Sequence, residues 1–143
     1  MKVSQISVFL ENKAGRLAKV AEVLKDNHVN IRALTIADTS DFGILRMIVN
    51  QPETAYDVLK KAGFTVKESA VIALEMDDRE GVFFDIMSLC DRQALNVEYT
   101  YSFVEQYSNK AVLFLRFDDV EKAIATFRAH NYKLLTADEI RKI

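Results

Sequence analysis

The sequence predicts an α+β protein built from two βαββαβ repeats, each an antiparallel sheet with both helices on one face. Three observations lead there. Two glycines, Gly15 and Gly81, stand 66 residues apart (81 − 15 = 66), and apolar positions recur around them at the same offset. After each glycine the apolar residues keep the i, i+3, i+4, i+7 spacing of one buried helix face. They are Leu17, Val20, Ala21 and Leu24, then Phe83, Ile86, Met87 and Cys90. On either side of these helices apolar residues alternate, as strands buried on one face require.

In the first repeat, strands are expected near 2–10, 31–38, 42–50 and 64–69, with helices near 15–27 and 52–62. Ile6, Val8 and Leu10 alternate in the first strand and fall on Ile72, Leu74 and Met76. Asn30-Ile31, opening the second strand, falls on Asn96-Val97. In the third strand Leu45, Met47 and Val49 face inward, and Ile44, Arg46 and Ile48 face the other way. Pro52 starts the second helix with its fixed φ, and Gly63 follows its end.

The second repeat places strands near 70–76, 95–104, 110–117 and 132–136, with helices near 81–93 and 118–130. Past Asn96 the offset grows to 68, because "VEQYSNK" is a longer turn than "DTSDFG". Leu113, Leu115 and Phe117 then match Leu45, Met47 and Val49. Insertions belong in surface turns. Each half is thus a ferredoxin-like unit, 1–69 and 70–143, with "ADEIRKI" left as a tail.

A unit of roughly 70 residues buries only about 60% of its unfolded surface and is marginal alone. The face away from the helices carries Phe9, Ile44 and Ile48 in one half and Val112 and Phe114 in the other. "FTVKESAVIALEM" joins the halves with neither Gly nor Pro, so they are expected to dock rigidly. The remaining apolar surface predicts a homodimer through the sheet face or the edge strands.

Composition narrows the function. Of 143 residues half are hydrophobic and 28% charged, with a formal net charge of −2, which suits a globular protein. No dense Lys/Arg block exists, so nucleic acid is not the expected partner. The start, "MKVSQISVFLENK", is neither signal peptide nor membrane helix, so no membrane is expected. One cysteine forms no internal disulfide, and a cytoplasmic location is expected.

The stretch "ENKAGRLAKVAEVLKDNHVNIRALTIAD" resembles the ACT domain, with a loop ending in Gly, a helix, and then Asn-Ile opening the second strand. "MDDREGVFFDIMSLCDRQALNVEYTYSF" resembles it more loosely. "SDFGILR" and "EYTYSF" are similar to segments of small stand-alone tandem ACT proteins. The resemblance implies a regulatory, non-catalytic protein that binds a small amino acid at an interface between domains and passes the signal to a metabolic enzyme. Both loops depart from the family's Asp-Arg/Lys-Pro-Gly, reading Asn12-Lys13-Ala14-Gly15 and Asp78-Arg79-Glu80-Gly81.

Such a loop suits an amino acid. A helix start has unpaired N–H groups and the positive end of a dipole for a carboxylate. Gly15 permits φ > 0 or close approach, and Asn12 offers both donor and acceptor. Glu11 or Asp41 would neutralise an ammonium. The same residues also make a plain turn, with Asn12 as the helix cap. With the resemblance, the expected first site is Glu11, Asn12, Lys13, Ala14, Gly15, Arg16, Leu17, Asn30 and Ile31. A weaker second site takes Asp78, Gly81, Val82, Asn96, Tyr99 and Tyr101, because Asp77, Asp78 and Glu80 repel a carboxylate.

Other residues point to no chemistry. His28 and His130 lack partners at metal-ligand spacing, and no metal or cofactor is expected. Cys90 falls on a buried helix position, where a nucleophile would need exposure and a base. Ser7 and Ser102 lie in strands without a nucleophile elbow, and no phosphate-binding glycine loop occurs. Asp77, Asp78 and Glu80 read as a solvated acidic turn. Tyr99, Tyr101 and Phe103 are expected on one strand face with Val97, as core or as the border of a cleft. No acid, base and nucleophile converge. The alternative function is an assembly module that binds a partner enzyme and keeps a vestigial ligand site.

Overall fold

A computed structural model describes residues 1–38, 41–104 and 109–143. Thr39–Ser40 and Glu105–Ser108, in the turns where the repeat offset changes, lie outside the described residues. The elements run β1 (Val3–Glu11), α1 (Arg16–Asp26), β2 (Ile31–Asp38), β3 (Phe42–Val49), α2 (Pro52–Lys61), β4 (Thr65–Asp77), α3 (Val82–Arg92), β5 (Val97–Val104), β6 (Lys110–Phe117), α4 (Val120–Ala129), β7 (Leu134–Leu135) and α5 (Ala137–Lys142). The βαββαβ pattern therefore occurs twice, on antiparallel pairings, with the helices of each repeat on one face.

The chain forms two compact units, Ser4–Ser69 and Met1–Val3 with Ala70–Ile143. In the first, β3 lies between β2 and β1, with Ile36 opposite Leu45 and Val8 opposite Leu45 on its two sides. Ile6, Val8, Leu10, Leu45 and Met47 meet Val20, Leu24, Ala55 and Leu59 of the two helices in one core. In the second, β4 pairs with β6 and β7, and β6 pairs with β5. Ile72, Leu74, Leu113 and Leu115 there meet Ile86, Cys90, Ala123 and Phe127.

Several expectations change. The two strands expected at 64–69 and 70–76 are one uninterrupted strand, β4, since no Gly or Pro breaks it. The supposed tail is α5. Thr136 Oγ1 accepts from the Glu139 N–H at 3.2 Å, and Glu139 Oε2 accepts from the Thr136 N–H at 2.8 Å. This capping box was legible in "TADE". Leu17 and Phe83 are exposed (46% and 49%) rather than buried. The buried stripe of α3 is Val82, Ile86, Leu89 and Cys90, so it enters one residue earlier, at the position matching Arg16. From Val20 or Ile86 inward, i−3 and i−4 fit a helix face equally well, and here i−4 wins.

On the face away from the helices Ile48, Val112 and Phe114 are buried within the chain, and Phe9 is exposed. That face therefore loses most of the apolar surface expected to drive a dimer. A β-bulge between Val97 and Tyr99 moves Val97 off the face of the aromatic residues. Val97 stands opposite Phe117 and packs on the helix-side core, whereas Tyr101 stands opposite Phe114 and stacks on it at 5.3 Å.

All four long-helix ends turn through positive φ, at His28, Gly63, Ala94 and Asn131, and each next N–H returns to the helix. Leu95 N donates to the Cys90 oxygen at 2.8 Å, as Phe64 N does to the Leu59 oxygen at 3.1 Å. Gly63 adopts this conformation without strain, and asparagine, as at Asn131, tolerates it. Ala94 (φ 53) carries a strain of about 1–2 kcal/mol. Glycine removes it but costs about 0.5–1 kcal/mol of chain entropy. Ala94→Gly is therefore expected to raise stability by about 0.5–1 kcal/mol, or roughly 2 °C in Tm, read by urea and thermal melts.

Candidate functional site

The two glycine loops share one backbone frame. Gly15 (φ 89, ψ −16) and Gly81 (φ 86, ψ −15) are the N-caps of α1 and α3, both left-handed. A Cβ at either would meet nothing within 4 Å, so open space faces each glycine. Neither helix has a side-chain cap, unlike α4, where Asp119 accepts from Lys122 N. Asn12 is therefore not the helix cap, and of the amides at the start of α1 the Arg16 N–H makes a long bond to the Lys13 oxygen at 3.4 Å.

Each loop is tethered to the turn before its third strand. Asn12 N donates to the Asp41 oxygen at 2.9 Å, and Asp78 N to the Asn109 oxygen at 2.8 Å. Each also carries an ion pair. Lys13 Nζ lies 2.9 Å from Glu11 Oε2, and Arg79 Nε lies 3.8 Å from Asp77 Oδ2. The Lys13 hydrogen bond, then its charge, holds the Glu11 carboxyl below its ordinary range. A ligand ammonium at Glu11 would therefore compete with Lys13. Asp77 is likewise held low, first by its hydrogen bond from Lys110.

The expected site residues do not all gather within one repeat. Glu11 to Leu17 are contiguous at the end of β1. Ile31 begins β2, just after Asn30, and the other end of β2 lies across β3 from that loop, so seven strand steps along β2 separate Ile31 from the loop end, roughly 23 Å. The Asn30 N–H donates to Asn50 Oδ1 at 2.8 Å, and its carbonyl accepts from Asn50 N at 3.0 Å. In the second repeat Asp78, Gly81 and Val82 lead into α3, with Asn96 at the far end of β5 and Tyr99 and Tyr101 on the face away from the helices.

The edge strands carry residues that sequence reasoning passed over. Leu34 and Ile36 stand on the helix side of β2 and are exposed (51% and 44%). The matching residues of β5 are Thr100 and Ser102, and Thr100 Oγ1 donates to the Phe114 carbonyl at 2.8 Å. The helix side is thus apolar on the first edge and polar on the second, while Tyr99, Tyr101 and Phe103 load the opposite face. Both strands alternate, but the bulges that set the phase leave no clear mark in the sequence.

Burial pushes the Cys90 thiol up, away from a nucleophile's range. Ser7 Oγ accepts from Gln5 Nε2 at 3.2 Å inside the protein. His130 Nδ1 lies 2.9 Å from the Thr126 carbonyl at the end of α4. Among the described residues no group of three or more His, Cys, Asp or Glu could hold a metal ion, and no helix is long and apolar enough to cross a membrane.

Protein BT0572 from Bacteroides thetaiotaomicron is 36% identical, with a TM-score of 0.94 over 100% of this chain and 98% of that one. The regulatory subunit of aspartate kinase from Thermus thermophilus, in its ligand-free form, is 15% identical. It superposes with a TM-score of 0.65 over 89% of each chain. The corresponding subunit from Thermus flavus is 12% identical, with a TM-score of 0.62 over 88% of this chain and 90% of that one. At those identities the two subunits show the fold alone. No protein of curated function matches the chain. A family model, that of the ACT domain pair, matches residues 1–143, and the chain belongs to that family.

Proposed function

We propose that this protein is a non-catalytic regulator that binds a small amino acid at its first glycine loop, in a cleft completed by a second copy of the chain. The ligand carboxylate sits on the backbone N–H groups of Gly15, Arg16 and Leu17, replacing the long 3.4 Å bond from Arg16 N to the Lys13 oxygen, and Asn12 fixes its orientation. The second loop binds more weakly. One observation carries the reading: the apolar helix side of edge strand β2, whose following turn is tethered to the loop through Asn12 N and the Asp41 oxygen.

An exposed strand edge with apolar flanks is a template for pairing. Antiparallel self-pairing centred on Thr35 sets Leu34 opposite the partner subunit's Ile36 (34 + 36 = 2 × 35), both on the helix side. The same operation carries the start of the partner's β2, with its Asn30 and Ile31, to the loop end of this β2. Residues that stand far from the loop within one repeat thereby reach it from the other copy. The β5 edge, with Thr100 and Ser102, lacks these flanks, so the first repeat forms the interface.

Ile36→Lys places a charge at the centre of this pairing and is expected to yield monomers in light scattering, where the wild type is a dimer. A wild-type monomer at high concentration would contradict the interface. A thermal-shift screen against each proteinogenic amino acid tests ligand binding. A dimer that responds to none of them would leave an assembly module for a partner enzyme, with the loop as a turn.

A further inference from the structure

α3 carries more apolar surface than its core uses. Seven of the nine residues from Val82 to Cys90 are apolar, yet only Val82, Ile86, Leu89 and Cys90 are buried. Phe83, Phe84 and Met87 form a second stripe beside the buried one. Met87 is half-buried and both rings are exposed; at 72%, Phe84 is the most exposed large apolar residue among those described. A helix lying on its own sheet needs one apolar stripe, and a helix that is apolar further round is covered there too. The fold does not demand these rings, because the matching positions of α1 hold Leu17, Ala18 and Ala21.

Carboxylates surround the second stripe. Asp78, Glu80, Asp85 and Asp91 are exposed in the loop and along the helix, and among the described residues none has an ion-pair partner. The two nearby cations are engaged elsewhere. Arg79 Nε lies 3.8 Å from Asp77 Oδ2, and Arg92 donates to Ser88 Oγ at 2.8 Å. In α1 the places of Asp85 and Asp91 are taken by Lys19 and Lys25, so the acidic setting belongs to this helix and not to the repeat. An apolar ridge among free carboxylates complements an apolar surface flanked by cations. It repels an anionic lipid surface, and it repels a second α3 with the same charges.

We propose that α3 is a docking ridge for a partner protein, with Phe83, Phe84 and Met87 packed on an amphipathic helix whose Lys or Arg side chains meet the four carboxylates. Phe84 is the anchor, since a large ring that loses most of its exposure carries much of the binding energy of such a contact. The ridge uses no residue of the first loop and stands or falls apart from the amino-acid reading.

The test is a titration of the ¹⁵N-labelled full chain with a helical peptide of leucine and lysine, its leucines at i, i+3, i+4 and i+7. The control is the same peptide with glutamate for every lysine. The leucine–lysine peptide is expected to shift the amides of Phe83, Phe84 and Met87 saturably, and the control is expected not to. Phe84→Ala weakens this binding about tenfold or more. Asp85→Lys with Asp91→Lys weakens it and flattens its salt dependence. Phe9→Ala, which removes an exposed ring of the first repeat, leaves it unchanged. Absence of a response at these amides overturns the proposal, as does equal binding of the glutamate peptide or a response that survives Phe84→Ala. Phosphatidylcholine vesicles that shift the same amides would assign the ridge to a membrane surface. An assembly larger than a dimer that Phe84→Ala dissolves would assign it to a second copy. Either result overturns the partner protein.

Discussion

Phe127→Ala is expected to cost about 3–5 kcal/mol of stability, the largest effect of any single substitution considered. The ring is fully buried in the helix-side core of the second repeat. It lies 6.0 Å from the Phe117 ring and meets Tyr132 edge-on at 5.6 Å. Truncation removes the transfer energy of the ring, leaves a cavity between α4 and β6, and breaks two aromatic pairs worth about 0.5–1.5 kcal/mol each. Against a total stability of about 5–15 kcal/mol this is a large fraction, and Tm should fall by roughly 10 °C. Phe84→Ala is the matched control. That ring is 72% exposed, so its loss should stay within about 0.5 kcal/mol. Urea denaturation of the pair reads the difference. A cost near 1 kcal/mol for Phe127→Ala would mean the second core is not packed as described.

The second large effect is the loss of ligand-linked stability at the first loop. A ligand at 100 times its Kd stabilises the folded chain by about 2.7 kcal/mol. Asn12→Ala and Gly15→Val are expected to remove that gain, measured in thermal melts with and without the ligand. Glu80→Ala should leave it intact. Valine at position 15 also carries a strain of its own, since φ is 89 and a β-branched residue avoids that region. Gly81→Val isolates the strain. It has the same φ within a few degrees and the same open space around a new Cβ. Both variants should lose about 1–2 kcal/mol without ligand, and only Gly15→Val should lose the ligand response. A response that survives Gly15→Val, or that disappears equally with Gly81→Val, would reduce the first loop to a turn.

These experiments address different levels of the molecule. The core substitution probes packing that helical and strand periodicity already predicted. The loop pair probes a function that two identical backbone frames can carry only through their side chains and neighbours. Ala14 and Glu80 hold the same place in those frames, as do Phe42 and Lys110 opposite the strand ends. The two frames therefore differ in these side chains rather than in their backbone.

The sequence by itself determined the four long helices and the strands around them, the duplication and the family likeness, but not α5 or the continuity of β4. These rest on local signals: the 3.6-residue period after Gly15 and Gly81, the alternation of Ile6, Val8 and Leu10, and the placement of Pro52 and Gly63. Only the tertiary structure decided which residues face where. It chose Val82 over Phe83 as the inward residue, because the first turn of a helix fits a stripe at i−3 or i−4 alike. It turned Tyr99, Tyr101 and Phe103 away from Val97, because one bulged residue swaps every later side chain to the other face. It buried Ile48, Val112 and Phe114 on faces that alternation alone left bare. It put left-handed backbone at His28, Ala94 and Asn131, where the helix-end hydrogen bonds outweigh the residue's own preference. Periodicity fixes neighbours along the chain, whereas a bulge, a helix phase or a covered face is settled only when distant segments compete for the same space.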